Sequence, residues 1–94
     1  MSAERKGLYI PRVVLYDTQL SSSMKLVYAA MIEAAEDGIC RLSSAEIGER
    51  SGLTAAAALA NRHNLCRCGY VQLVPHTNHN YQLLKIKRKE RGNG

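Results

Sequence analysis

The first regular alternation of apolar and polar positions begins at Leu20. In "LSSSMKLVYAAMIEAAEDG", Met24, Val27, Met31 and Ala34 or Ala35 recur at helical spacing with Ala30 beside them, which predicts one buried stripe. A serine among Ser21–Ser23 can cap the first amides, and Leu20 can staple onto the first turn. Glu33, Glu36 and Asp37 fall at the C-terminal end, where the helix dipole disfavours acidic groups, and Gly38 ends the run. "ICRL" (39–42) then reads as a short strand, Ile39 and Arg41 alternating with Cys40 and Leu42.

A second helix is expected in "SSAEIGERSG". Ser43 or Ser44 caps it, Glu46 stands three residues after Ser43 at capping-box spacing, Ile47 faces inward and Gly52 stops it after barely two turns. Thr54 caps a third helix, which runs to about Cys68 and stops at Gly69. Five alanines, Ala55–Ala58 and Ala60, favour helix there through propensity alone. "YVQLV" (70–74) and "YQLLKIK" (81–87) are strands joined by the polar, turn-forming "PHTNHN" (75–80), a hairpin. Upstream, "LYIPRVVLYD" (8–17) is apolar and β-branched but interrupted by Pro11, so it reads as an extended lead-in with one turn of helix at most. Residues 1–7 form an expected flexible arm, 8–87 the domain, and 88–94 a basic tail.

Length and composition narrow the class. Ninety-four residues make one domain, and 46% hydrophobic residues are ordinary for a globular chain. No apolar run approaches the ~20 residues of a membrane span, and "MSAERKG" has no apolar region behind it to make a signal peptide. A soluble, cytoplasmic protein is expected. Three cysteines, Cys40, Cys66 and Cys68, cannot close a disulfide framework. The net charge of +5 is uneven: residues 1–49 carry a net of −2, while residues 50–94 hold eight basic side chains and one acidic, a net of +7. One strongly basic half points to a polyanionic partner.

The order of elements is helix, short strand, short helix, tight turn, longer helix, hairpin. On those residues the stretch "LSSSMKLVYAAMIEAAEDGICRLSSAEIGERSGLTAAAALANRHNLCRCGYVQLV" resembles the winged-helix domains of phage, plasmid and other mobile-element replication initiators and of small bacterial regulators. The lead-in "YIPRVVLYDTQLS" is similar as well, and the likeness covers about residues 8–87. Its most specific parts are "LSSAEIGERSGLT" and the closing "LCRCGYV". The resemblance implies a mainly α fold with a small β-hairpin wing, three helices and two or three short strands. It further implies double-stranded DNA as partner, the third helix in the major groove, the second across the backbone and the hairpin on an adjacent groove or phosphates.

The reading face departs from that pattern. With Leu65 set toward the core at about 100° per residue, Ala58 and Thr54 share its side. The opposite side is Ala56, Ala60, His63 and Arg67, flanked by Ala55, Leu59 and Cys66. The early positions that should meet base edges are therefore Ala55, Ala56 and Ala60, which can touch a thymine methyl but form no hydrogen bond. Either the domain binds through phosphates and wing with little sequence preference, or the alanine face contacts a protein, or the run is a replacement that removes contacts. The first is favoured. Asn61 and Arg62 fall toward the buried side and Leu59 away from it, so either the helix is rotated or part of that face meets a partner.

The expected DNA contacts also include Arg50, Arg67, Lys85 and Lys87 as phosphate cations, and the hydroxyls and helix-end amides of Ser44 and Thr54. His76, Thr77, Asn78 and His79 lie at the hairpin tip, where the same residue types also serve as ordinary turn formers. Cys66 and Cys68 with His76 and His79 invite a zinc reading, but thiols two residues apart on a helix point about 160° from each other, and the usual C-x2–4-C spacing is missing. No metal or cofactor is therefore expected. No carboxylate pair, Cys–His pair or Ser–His pair has a catalytic context, so an enzyme is not expected. The runner-up is a protein-interaction or dimerisation module that uses the alanine-rich helix. A single-strand binder would need stacking aromatics, and only Tyr70 and Tyr81 are candidates.

Overall fold

The computed structural model describes residues 10–78 and 80–84. Within them the order is α1 (Arg12–Leu15), α2 (Ser22–Ala34), β1 (Ile39–Cys40), α3 (Ser44–Ser51), α4 (Ala55–Arg67), β2 (Val71–Leu73) and β3 (Tyr81–Leu83). The class is mainly α with a small three-stranded antiparallel sheet, ordered β1–β3–β2. There are four helices rather than three, because the one turn allowed after Pro11 closes, with the Leu15 amide on the Pro11 carbonyl at 2.8 Å. Residues 1–9 and 85–94, the expected arm and tail among them, lie outside the described residues.

Three side-chain caps set the helix starts. Ser21 accepts from the Met24 amide, Thr54 from the Ala57 amide, and Ser43 from the Glu46 amide. At α3 the capping box is complete, since the Glu46 carboxylate accepts from the Ser43 amide at 2.9 Å. Each such cap stabilises its helix by about 1 kcal/mol.

The end of α2 differs from the sequence expectation. The helix stops at Ala34, Ala35 is extended, and Glu36 and Asp37 belong to a tight turn rather than to the last helical turn. The Glu36 and Ile39 backbones exchange hydrogen bonds of 2.9 and 3.0 Å across Asp37 and Gly38, both with positive φ. That turn needs two left-handed residues in succession, which Asp-Gly supplies at little strain. Gly38 therefore launches β1 instead of capping α2. The strand itself is only Ile39–Cys40, and Arg41 and Leu42 lead straight into the α3 cap.

α2, α3 and α4 pack around one core of Val14, Met24, Val27, Tyr28, Met31, Ile47, Ala58 and Leu65, closed by Tyr70, Val71 and Tyr81 from the hairpin. Tyr28, not among the residues expected in the stripe, is fully buried. Its ring meets Tyr70 edge-on at 5.1 Å, and its hydroxyl donates to the Tyr70 carbonyl. The Tyr70 hydroxyl in turn donates to Asp17 Oδ2 at 2.5 Å, tying the link between α1 and α2 to the start of β2. β2 and β3 pair in the register Val71–Leu83, Gln72–Gln82 and Leu73–Tyr81, and β1 pairs on the other side of β3.

At the junction of α3 and α4 two backbones approach closely. A Cβ on Gly48 would stand 2.5 Å from the Leu53 carbonyl oxygen and 3.0 Å from that of Thr54. Both neighbours are backbone, so neither can turn aside. Gly52, in the left-handed region, ends α3, and the Leu53 amide donates to the Gly48 carbonyl at 2.8 Å.

Gly48→Ala is expected to destabilise the domain by about 2 kcal/mol through overpacking, a fall of roughly 10 °C in melting temperature. A thermal melt of the variant within 2 °C or so of wild type would contradict the contact. A second expectation concerns pH. Burial, then the hydrogen bond and charge of Asp17, push the Tyr70 hydroxyl up to about 12 from an ordinary 10. The folded state thus holds this proton where the unfolded state has released it. The associated stability is complete below pH 10 and lost as pH rises through about 12. Denaturant midpoints across that window should fall more steeply for wild type than for Tyr70→Phe, and parallel curves would refute the linkage.

Candidate nucleic-acid interface

α4 presents two unlike faces. Ala58 and Leu65 are fully buried, whereas Ala55, Ala56, Leu59, Ala60, His63, Cys66 and Arg67 are all exposed. Ala56, Ala60, His63 and Arg67 therefore form a continuous outward stripe spaced four, three and four residues apart. The helix has the rotation its residue pattern predicts. Asn61 and Arg62 are accommodated inside the molecule without a rotated helix, while Leu59 faces out as the wheel places it. Asn61 folds back so that its amide donates to the Ala57 carbonyl at 2.8 Å, and Arg62 is buried against the hairpin.

The hydroxyls flanking this stripe differ in what they can still donate. Thr54 Oγ1 accepts from the Ala57 amide, and Ser44 Oγ accepts from Arg62 Nη2 at 3.2 Å. Each engages its oxygen, so its own hydrogen is not consumed by those bonds. Ser44 is the first residue of α3 and Ser43 is its cap. Thr77 is different. Its hydroxyl donates to the Val74 carbonyl at 2.6 Å, so the proton that would reach a phosphate holds the loop together instead. Thr77 is half-buried and is better read as a turn residue than as a contact. His76 and Asn78 are exposed at the tip, His76 with a φ of 67°.

The cations are redistributed as well. Arg62, counted in the basic half, is only 3% exposed and offers nothing to the surface. Arg50 is exposed but pairs with Glu33 of α2, Nη1 to Oε1 at 3.2 Å. Arg67 ends the stripe and rims a cleft of about 460 Å3 whose other polar lining is Gln19 and Asn64. Neither amide stands out in the sequence, since a lone Gln on a turn or a lone Asn on an exposed helix face carries no distinguishing pattern. Lys85, Lys87 and His79 lie outside the described residues.

The cysteines are separated: Cys40 is buried, Cys68 half-buried and Cys66 exposed. Burial pushes the Cys40 thiol up, away from thiolate formation. Among the described residues no group of three or more His, Cys, Asp or Glu is placed to hold a metal ion. No helix among them is long and apolar enough to cross a membrane.

Comparison with family models, with curated proteins and with solved structures finds no match for this chain.

The Arg50–Glu33 pair generates a test of surface charge. An exposed pair of this kind contributes at most about 1 kcal/mol. Glu33→Gln should therefore leave the melting temperature nearly unchanged while releasing Arg50, and should tighten duplex DNA binding about two- to fivefold at low salt. Equal affinity for the two proteins would take Arg50 out of the interface.

Proposed function

We propose that the chain is a DNA-binding module of the winged helix-turn-helix type, in a small regulator or replication initiator, docking on duplex DNA with weak sequence preference. The observation that carries this reading is the α3–turn–α4 unit. It is closed on Gly48, holds the inner face of α4 on the core and leaves Ala55, Ala56, Ala60, His63 and Arg67 facing out. A hairpin follows directly, as such a module requires.

In this reading α4 lies in the major groove. Its alanines give thymine methyls an apolar contact and offer no hydrogen bond, so the roughly 1–3 kcal/mol of discrimination from each bidentate base contact is absent. Affinity then comes from phosphates. Arg67, the Ser44 and Thr54 hydroxyls and the first amides of α4 supply donors within the described residues, with Arg50 partly withheld by Glu33. His76 and Asn78 are the contacts left to the hairpin tip.

A second reading is favoured by one observation. Leu59 is 39% exposed amid the alanines, and a leucine ringed by small residues suits close packing against another helix. That reading makes α4 a protein-interaction or dimer surface.

The deciding experiment titrates a fluorescent random-sequence duplex at several salt concentrations with wild type, Arg67→Gln and the Ala55→Arg/Ala56→Arg double variant. The expected outcome is binding with a steep salt slope that drops by about 1 in Arg67→Gln. Wild type that fails to bind even at low salt, while the double arginine variant binds, would leave a DNA-compatible scaffold with a silent reading face. Sedimentation showing a dimer lost in Leu59→Glu would then make the second reading the function.

A further inference from the structure

Arg62 sits in the middle of α4 and is 3% exposed. Its guanidinium carbon lies 4.3 Å from the centroid of the Tyr81 ring on β3. Nη1 donates to the Leu42 carbonyl at 3.3 Å and Nη2 to Ser44 Oγ at 3.2 Å. Nε is buried with no hydrogen-bond partner. The ion pairs among the described residues, Arg41–Glu36 and Arg50–Glu33, do not include it.

A charge removed from water onto neutral partners is unfavourable, and an apolar side chain of similar length would fill the space at least as well. The planar guanidinium does something a Met or Leu cannot. It stacks on one element while donating in two fixed directions to others. Here that joins α4 to β3, to the link before α3, and to the first residue of α3.

We infer that Arg62 is a positioning residue of the DNA interface, holding the Ser44 hydroxyl and the returning strand of the hairpin from behind. The inference rests on the DNA-binding reading proposed above. Nη2 occupies one lone pair of Ser44, which holds the oxygen in place and leaves that hydroxyl's own hydrogen for another partner. Tyr81 is the first residue of β3 and follows directly on the hairpin loop, so the stack sets where His76 and Asn78 stand relative to α4. Arg62 itself is beneath the surface and meets no phosphate. An arginine in a reading helix is ordinarily assigned as a DNA contact, and burial reassigns this one.

The test uses Arg62→Met, Arg62→Lys, Ser44→Ala and the Arg62→Met/Ser44→Ala double variant, at a temperature where circular dichroism shows each folded. Arg62→Met is expected to weaken binding to the random-sequence duplex on the order of tenfold at an unchanged salt slope. Ser44→Ala should weaken the wild type yet change little in the Arg62→Met background. Arg62→Lys keeps the charge without the two-directional fork and should recover little of the loss. A salt slope that falls by about 1 would make Arg62 a direct phosphate contact and overturn the inference. Unchanged affinity, or full additivity with Ser44→Ala, would overturn it as well.

Should Arg62→Met fail to fold, Tyr81→Leu removes the stack while keeping the guanidinium and is expected to show the same loss at the same slope. Hydrogen exchange without DNA gives a separate reading. In Arg62→Lys the Tyr81–Leu83 amides should exchange faster while those of α2 do not, and identical exchange overturns the positioning role. Wild type that fails to bind any duplex sinks the proposed function instead, a result distinguishable because the exchange measurement needs no DNA.

Discussion

At position 48 the α3 backbone passes so close to the carbonyls of Leu53 and Thr54 that only a hydrogen atom fits between them. This contact fixes how α4 leaves the turn. Both oxygens belong to backbone, and the Thr54 carbonyl is already committed to the Ala58 amide at 2.9 Å. The Thr54 carbonyl cannot retreat without disturbing the first turn of α4. With the exit angle set, Ala58 and Leu65 fall onto α2 and α3, and everything on the far side of α4 is left to solvent. The same geometry brings the end of α4 to Tyr70, whose ring packs against Tyr28 and whose hydroxyl reaches Asp17. The outward stripe and the hairpin root are therefore consequences of one close approach.

Much of this was legible along the chain because it is local. Ser21, Ser43 and Thr54 act within three residues of themselves, so the pattern locates Thr54 outright and narrows the other caps to Ser21–Ser23 and to Ser43 or Ser44. The wheel through Leu65 separated the faces of α4 because one turn of helix fixes the next. Tyr28 was missed although it stands four residues after Met24, on the same stripe. A tyrosine is amphipathic, and its burial depends on the Tyr70 carbonyl forty-two residues away to receive its hydroxyl. The turn at Asp37–Gly38 was misassigned for a related reason. Asp-Gly suits a helix end and a tight strand reversal equally, and the choice is made by β1 pairing with β3.

Charge was the property that sequence represented least well. Summed along the chain, residues 50–94 form a basic half. In three dimensions Arg62 is withdrawn into the core and Arg50 faces Glu33, which belongs to the acidic half. The sum is unchanged, but of the two arginines on α4 Arg62 is buried and Arg67 alone reaches the surface. Pairing and burial are long-range facts, and composition contains neither.

Under the DNA-binding reading, these two outcomes bear on specificity together. A reading helix usually combines long side chains that hydrogen-bond base edges with cations at its flanks. Here the early outward positions Ala55, Ala56 and Ala60 end at Cβ, so none of them tells one base pair from another by hydrogen bonding. Short side chains also hold the helix axis less far from the groove floor, which brings the α4 amides and Thr54 closer to the sugar–phosphate walls. Such a surface gains from any duplex nearly equally, and what selectivity it retains must come from groove shape and from the hairpin tip. Rigid placement then matters more than for a helix with long side chains, which can adjust to find their partners. A stripe of alanines cannot adjust. Its alignment with the hairpin has to be built into the scaffold, and in this fold the stacked, buried Arg62 is the side chain that spans the two.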